Sequence, residues 1–189
     1  MLACTFVSLR PIAVIVAWGL GLTLLAGCAS APSAPRLDAV WVPSAPEVIA
    51  VMMEAAKIGP GDLVYDLGCG EGEIVIAAAR RGARAVGVDI DPERIANARL
   101  NAARAGLTDQ VTFVERDLFA TDISAATVVT LYLGPAVNQR LRPKLLRELK
   151  PGTRIVSHDF SMGDWEPERT LIVPQAPGHR VFLWRVPPR

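Results

Sequence analysis

Val64-Tyr65-Asp66-Leu67-Gly68-Cys69-Gly70-Glu71-Gly72 constrains this chain more than any other stretch: an apolar run ends in an acid and passes into three alternating glycines. Leu63 to Leu67 reads as a strand interrupted only by Asp66, and Ile74 to Ala79 reads as the start of a helix. The glycines between them permit positive φ and leave no Cβ to fend off a ligand, while the helix start offers unpaired N–H groups. That geometry suits a nucleotide-like cofactor; the plain alternative is a glycine turn without a ligand.

Spacing separates the candidate cofactors. A dinucleotide fingerprint wants G-x-G-x-x-G, but Glu73 stands where the third glycine belongs, and Glu71 would meet the pyrophosphate. S-adenosylmethionine carries no phosphate and presents an ammonium and a sulfonium, so acids beside the loop are tolerable or useful. An NAD-dependent oxidoreductase is disfavoured on the same grounds. Asp66-Leu67-Gly68-Cys69-Gly70-Glu71-Gly72 resembles the first motif of Rossmann-like methyltransferases.

Downstream, Ala85 to Asp91 is a second strand ending in two acids, of which Asp89 lies 23 residues past Asp66. That separation lets an acid at the strand tip, followed by Ile90, accept from both ribose hydroxyls. Asp91-Pro92 reads instead as the cap and first turn of the next helix, which Gly106 ends. Gln110 to Glu115 is a third strand leading to Asp117 and Leu118, Thr127 to Leu133 a fourth running into Gly134-Pro135, and Arg154 to Phe160 a fifth. Thr170 to Val173 and Val181 to Val186 form a closing hairpin. Strand and helix alternate through the middle, which calls for an α/β fold: a Rossmann-like, seven-stranded, mostly parallel sheet with helices on both faces. Ser44 reads as the cap of a helix that Pro46 opens.

The chain has 189 residues, 51% hydrophobic and 21% charged, enough for one domain over residues 41–189 plus an appended segment. A net charge of +1 without a dense basic stripe argues against nucleic acid as the main partner. After Arg10, residues 11–26 carry no charge and lead to Leu25-Ala26-Gly27-Cys28, which resembles the lipobox of bacterial lipoproteins. Residues 1–28 therefore read as a lipoprotein-like signal with lipid on Cys28 or as an uncleaved membrane anchor, and residues 29–40 as a flexible tether. A lipoprotein signal exports the domain to where S-adenosylmethionine is not expected; a later start codon, an uncleaved anchor or a domain without catalysis each removes that tension. Cys69 is then the one cysteine of the domain, so no disulfide framework is expected, and its reading is packing in the loop. No metal site is read from the sequence.

Trp41-Val42-Pro43-Ser44, the glycine loop, Thr130 to Pro135, Leu141 to Leu145 and Pro151 to Phe160 together resemble one group of bacterial methyltransferases. That group is similar to the mitochondrial protein-lysine methyltransferases acting on ATP synthase subunit c and on the adenine nucleotide translocator. The resemblance spans about residues 41–165 and implies S-adenosylmethionine as cofactor and a protein lysine as leading acceptor, with a small molecule as the alternative. It further implies that Asp117 receives the adenine amino group, with the Leu118 amide at the ring, and that Ser44 closes over the methionine end. Where the family tends to show Asp-Gly-Arg, this chain has Glu71-Gly72-Glu73, which keeps one charge and reverses another.

Cofactor contacts are thus expected at Asp66, Gly68, Gly70, Glu71, Asp89, Ile90, Asp117 and Leu118. Tyr132 and Pro135 are candidates for the acceptor wall, each against a plain packing role, and His158 or Asp159 for taking or orienting a proton. Trp165 is a candidate cover over the acceptor, with packing the equal alternative. A catalytically silent, lipid-anchored binding module is the rival from another class.

Overall fold

Seven strands line up in the order β3-β2-β1-β4-β5-β7-β6 in the computed structural model, which describes residues 42–189. The signal or anchor over residues 1–28, the tether over 29–40, Cys28 and Trp41 lie outside the described residues. α1 (Pro46–Ala55) precedes β1 (Leu63–Leu67), α2 (Glu73–Arg80), β2 (Arg84–Asp89), α3 (Pro92–Arg104) and β3 (Val111–Glu115). β4 (Val128–Leu131), α4 (Pro135–Glu148), β5 (Arg154–His158), β6 (Arg169–Ile172) and β7 (Arg180–Arg185) follow. β3, β2, β1, β4 and β5 pair in parallel, whereas β7 is antiparallel to β5 and β6, so the expected closing hairpin is present.

Burial explains why the central strands read as apolar runs rather than alternations. β4 is buried at every position, and β5 at four of five, because both faces of the sheet are covered. One face packs Val64, Val128 and Val156 with Met52 of α1, Val75 of α2 and Ile95 of α3. The other packs Leu67, Leu131 and Ile155 with Leu141 and Leu145 of α4 and with Leu149 just past its end. Both clusters belong to one Rossmann-like sheet with helices on its two faces.

Two sequence readings are corrected. Strand and helix do not alternate between β3 and β4: residues 116–127 form successive turns without a helix. Asp117 Oδ1 accepts the Phe119 amide at 2.8 Å and Asp122 Oδ1 the Ser124 amide at 2.9 Å. Short polar side chains that bind their own backbone this way compete with helix formation, and Ile123 and Ala126 cover the sheet instead. Ser44 is not a cap. Ala45 holds the N-cap position of α1 without a side-chain bond, and the buried Ser44 hydroxyl meets His158 Nδ1, 114 residues away, at 2.9 Å. The cap of α3 is as expected, with Asp91 accepting from the Glu93 amide and Pro92 in the first turn.

The order of strands fixes where a ligand can sit. The chain leaves β1 toward β2 and β3 and then returns to lay β4 on the other side of β1. In open α/β sheets the ligand crevice lies at such a reversal, beyond the carboxyl ends of the strands. The loops after β1, β2 and β4 all start there.

Candidate functional site

The loop after β1 is shaped by its glycines and by the second strand. Gly68, Gly70 and Gly72 have φ of 79, 51 and 87°, the left-handed region that L side chains avoid. A Cβ at Gly68 would collide with Leu133 Cδ2 from the loop after β4. The amides of Gly68 and Cys69 both donate to the carbonyl of Val88, at 2.7 and 3.0 Å, folding the loop over the end of β2.

Asp89, at the tip of β2, holds the other side of the same loop. Its Oδ2 accepts the Gly70 amide at 2.9 Å and its Oδ1 the Asp91 amide at 3.0 Å. A carboxylate has about four lone-pair positions, so both oxygens keep accepting capacity. Glu71 turns toward α3, where Arg94 donates to its Oε1 at 2.7 Å and Asn97 at 3.2 Å, while Asn101 donates to its carbonyl at 3.1 Å. Ile90 is half-buried beside Asp89, and Leu118 half-buried beside the exposed Asp117 just past the tip of β3.

Asp66 lies beneath the loop, 2% exposed, and accepts from Thr130 Oγ1 at 2.6 Å. Burial pushes its carboxyl up to about 7 against the opposing Thr130 bond, and the charges of Glu73 and Asp89 add to the rise. Glu73 is itself pushed up by its burial and by Glu71. Acids crowded to this degree around a glycine loop fit a cationic ligand and reject a diphosphate. Cys69 is buried in the same loop, and burial together with Asp66 pushes its thiol upward, as suits a packing residue.

A second cluster sits at the mouths of β4 and β5. Tyr132 stacks on His158 with ring centroids 3.8 Å apart and an interplanar angle of 24°, and on Phe160 at 5.8 Å. Burial and Asp159 push the Tyr132 hydroxyl upward. His158 is 1% exposed, and burial drives its imidazole well below the ordinary range, with Asp159 opposing and His179 adding. Its Nε2 is 2.9 Å from His179 Nδ1, which is 2.8 Å from Asp159 Oδ2. Asp159 has φ of 59°, unusual outside glycine, and its Oδ1 accepts the Arg180 amide at 2.8 Å. Pro135 is exposed and opens α4 after Gly134, whose φ is 100°.

The structure therefore links Asp66, Gly70 and Asp89 around one loop and gathers Tyr132, His158 and Asp159 into one stack. Trp165 packs elsewhere, its ring tilted against Trp184 at 6.1 Å and its carbonyl accepting Trp184 Nε1–H at 2.8 Å. Sequence reasoning missed His179 and the true partner of Ser44. One signal was available: the chain has two histidines, one ending the fifth apolar run and one just before the last.

Comparison with known proteins places this geometry in context. The ANTKMT methyltransferase domain matches residues 66–169. The chain is 45% identical over 147 residues to a protein-lysine N-methyltransferase of Saccharolobus islandicus, covering 76% of this chain and 91% of that protein. It is 35% identical over 133 residues to the adenine nucleotide translocase lysine N-methyltransferase of Mus musculus, covering 70% of this chain but 58% of the mouse protein. Among solved structures, an RNA methyltransferase from Salinibacter ruber in complex with S-adenosyl-L-homocysteine is 52% identical with a TM-score of 0.76, covering 78% of this chain and 95% of that one.

Proposed function

We propose, from the premise that this chain belongs to the ANTKMT methyltransferase domain family and is an S-adenosylmethionine-dependent methyltransferase, that it methylates lysine side chains of proteins. The observation that carries this reading is an acid-lined glycine loop set beside a stacked aromatic wall, Tyr132 on His158, at neighbouring strand ends. When bound, S-adenosylmethionine supplies a methyl carbon on a sulfonium, and an amine nitrogen takes it in line as the carbon–sulfur bond breaks.

The residues of the chain do the binding and aligning. Asp89 accepts ribose hydroxyls with the lone pairs that Gly70 and Asp91 leave over, and Ile90 packs beside it. Asp117 and the Leu118 amide take the adenine edge, and Asp66 with the Gly68 and Gly70 backbone faces the ammonium end. Glu71 braces the loop through Arg94, so its part in binding is indirect. Tyr132 and Pro135 wall the acceptor. A lysine amine in water titrates near pH ~10.4 and must shed its proton before attack, which a desolvating wall promotes. His158 has both ring nitrogens engaged and acts by holding Tyr132, and Asp159, whose oxygens meet the Arg180 amide and His179, keeps lone pairs with which it orients the amine proton.

The name of the Salinibacter relative makes RNA the competing acceptor, and the test separates them. The protein is given methyl-labelled cofactor with membrane proteins, total RNA or a metabolite extract. Label on lysine in the protein pool, lost in Asp89→Ala, supports the reading. Label in RNA or in a small molecule overturns the acceptor, and cofactor binding without turnover in any pool indicates a silent binding module.

We also propose that residues 1–28 tie the domain to a membrane, on the strength of Leu25-Ala26-Gly27-Cys28. The intact mass of the mature chain distinguishes a lipidated Cys28 from an uncleaved anchor, and recovery of unmodified full-length chain from the soluble fraction removes both.

A further inference from the structure

We propose that His158, Asp159 and His179 form a binding site for one divalent transition-metal ion, ligated by two imidazoles and one carboxylate. The three facing atoms make a nearly regular triangle: His158 Nε2 to His179 Nδ1 is 2.9 Å, His179 Nδ1 to Asp159 Oδ2 is 2.8 Å, and His158 Nε2 to Asp159 Oδ2 is 3.3 Å. Ligands about 2.1 Å from a metal and at right angles to one another stand about 3.0 Å apart, so the triangle matches one face of an octahedron. Two histidines and a carboxylate on one face leave the remaining positions open to water.

A proton on His179 Nδ1 serves two sides of the triangle, toward His158 Nε2 and Asp159 Oδ2, and leaves the third side, His158 Nε2 to Asp159 Oδ2, without one. Asp159 Oδ2 is an acceptor, and each neutral ring nitrogen either carries a proton or does not. If both carry one, the two nitrogens confront each other as donors at 2.9 Å. If one does, the bare nitrogen confronts the carboxylate oxygen. With neutral rings and an ionised carboxylate, every assignment sets like against like along at least one side. A cation inside the triangle accepts all three lone pairs at once.

Two further features serve the same geometry. Ser44 Oγ lies 2.9 Å from His158 Nδ1; in the tautomer with the proton on Nδ1 the hydroxyl oxygen accepts that hydrogen bond and Nε2 is bare, the support a ligating histidine ordinarily has. Asp159 departs from ordinary backbone, with φ of 59°, and the Arg180 amide holds its Oδ1 so that Oδ2 points at the two rings. The ion would clip the end of β5 to the start of β7 and fix the ring on which Tyr132 stacks. With it bound, Asp159 no longer orients the amine proton, and deprotonation falls to desolvation by the wall. The site escapes a reading of spacing because His179 lies 21 residues from His158 and is brought back by the β6 and β7 hairpin.

The test uses the full-length chain, free of any affinity tag, stripped with a chelator and titrated with cobalt(II), followed by its visible absorption and by calorimetry. Expected is one equivalent bound, displaced by zinc(II), with affinity reduced about 100-fold in His179→Ala and Asp159→Asn and about 10-fold in Ser44→Ala. S-adenosylhomocysteine affinity in the same samples reports the fold, and should change little in His179→Ala. Absence of saturable binding by cobalt(II) and zinc(II) overturns the proposal. So does binding that persists undiminished in His179→Ala and Asp159→Asn, which would assign the ion to other residues of the chain.

Discussion

Asp66 and Thr130 occupy one register of β1 and β4, and the threonine hydroxyl donates to the buried carboxylate at 2.6 Å. The bond partly offsets the cost of placing an acid inside the sheet, yet burial still lifts the Asp66 carboxyl from 3.8 to about 7. Between these values the native chain keeps a proton that the unfolded chain has released. Stability from this group is therefore complete below about pH 4 and is lost as pH rises through about 7. Asp66→Asn should remove the loss, gaining on the order of 4 kcal/mol over wild type between pH 4 and pH 8. Urea titrations of both proteins across that range measure it; parallel curves would remove the buried-acid account.

The same carboxyl links pH to the cofactor. A cationic ligand favours ionised Asp66, so S-adenosylmethionine affinity should climb as pH passes about 7 and stay flat in Asp66→Asn. Calorimetry at pH 6 and pH 8 reads the difference. A slope shared by both proteins would place the proton elsewhere.

Asp89 braces the glycine loop from the tip of β2. Alanine there removes two charge-assisted bonds to the Gly70 and Asp91 amides as well as the proposed ribose contacts. Such bonds contribute about 1.5 to 3 kcal/mol each, so S-adenosylhomocysteine affinity should fall about 100-fold. Glu71→Ala should cost less, since Arg94 and Asn97, rather than the ligand, meet its carboxylate. Equal losses in the two variants would move the ribose assignment away from Asp89.

How much of this was legible follows from the range of each interaction. β1, the glycine loop, β2 and the Asp91 cap are read from neighbours in sequence, because a strand buried on both faces is a run of apolar residues and a cap lies next to its helix. Ser44 misled for the same reason: a serine before a proline-led helix looks like a cap, whereas its partner lies 114 residues away. The pairing of Glu71 with Arg94 depends on which face α3 turns to the loop, and no local pattern reports that. The general alternation of strand and helix breaks at residues 116–127 because their Asp and Thr side chains close turns of their own.

Arg154 joins the start of β5 to the end of α1. Its Nη1 donates to the Ala56 carbonyl at 2.6 Å, where the helix dipole is negative, and its Nη2 pairs with Asp62. Both partners are largely shielded from water. Arg154→Met should destabilise the chain by about 3 kcal/mol because Asp62 loses its countercharge. Arg154→Lys should restore less than half, since an ammonium cannot serve two directions as a guanidinium fork does. Chemical denaturation of the three proteins decides; a loss below about 1 kcal/mol, the range of exposed pairs, would make the contact incidental.

Gly68 and Leu133 should prove energetically coupled across the crevice. Alanine at position 68 meets two penalties: left-handed backbone at φ of 79°, about 1 to 2 kcal/mol, and collision of its Cβ with Leu133 Cδ2. Shortening Leu133 removes the second penalty and leaves the first. Leu133→Ala alone opens a cavity costing about 2 kcal/mol or more, and the new methyl at position 68 fills part of it. The double variant Gly68→Ala/Leu133→Ala should therefore be more stable than the sum of the single losses predicts, by about 1 kcal/mol. Strict additivity in stability would mean that Leu133 yields freely, and that backbone strain alone demands glycine at the turn.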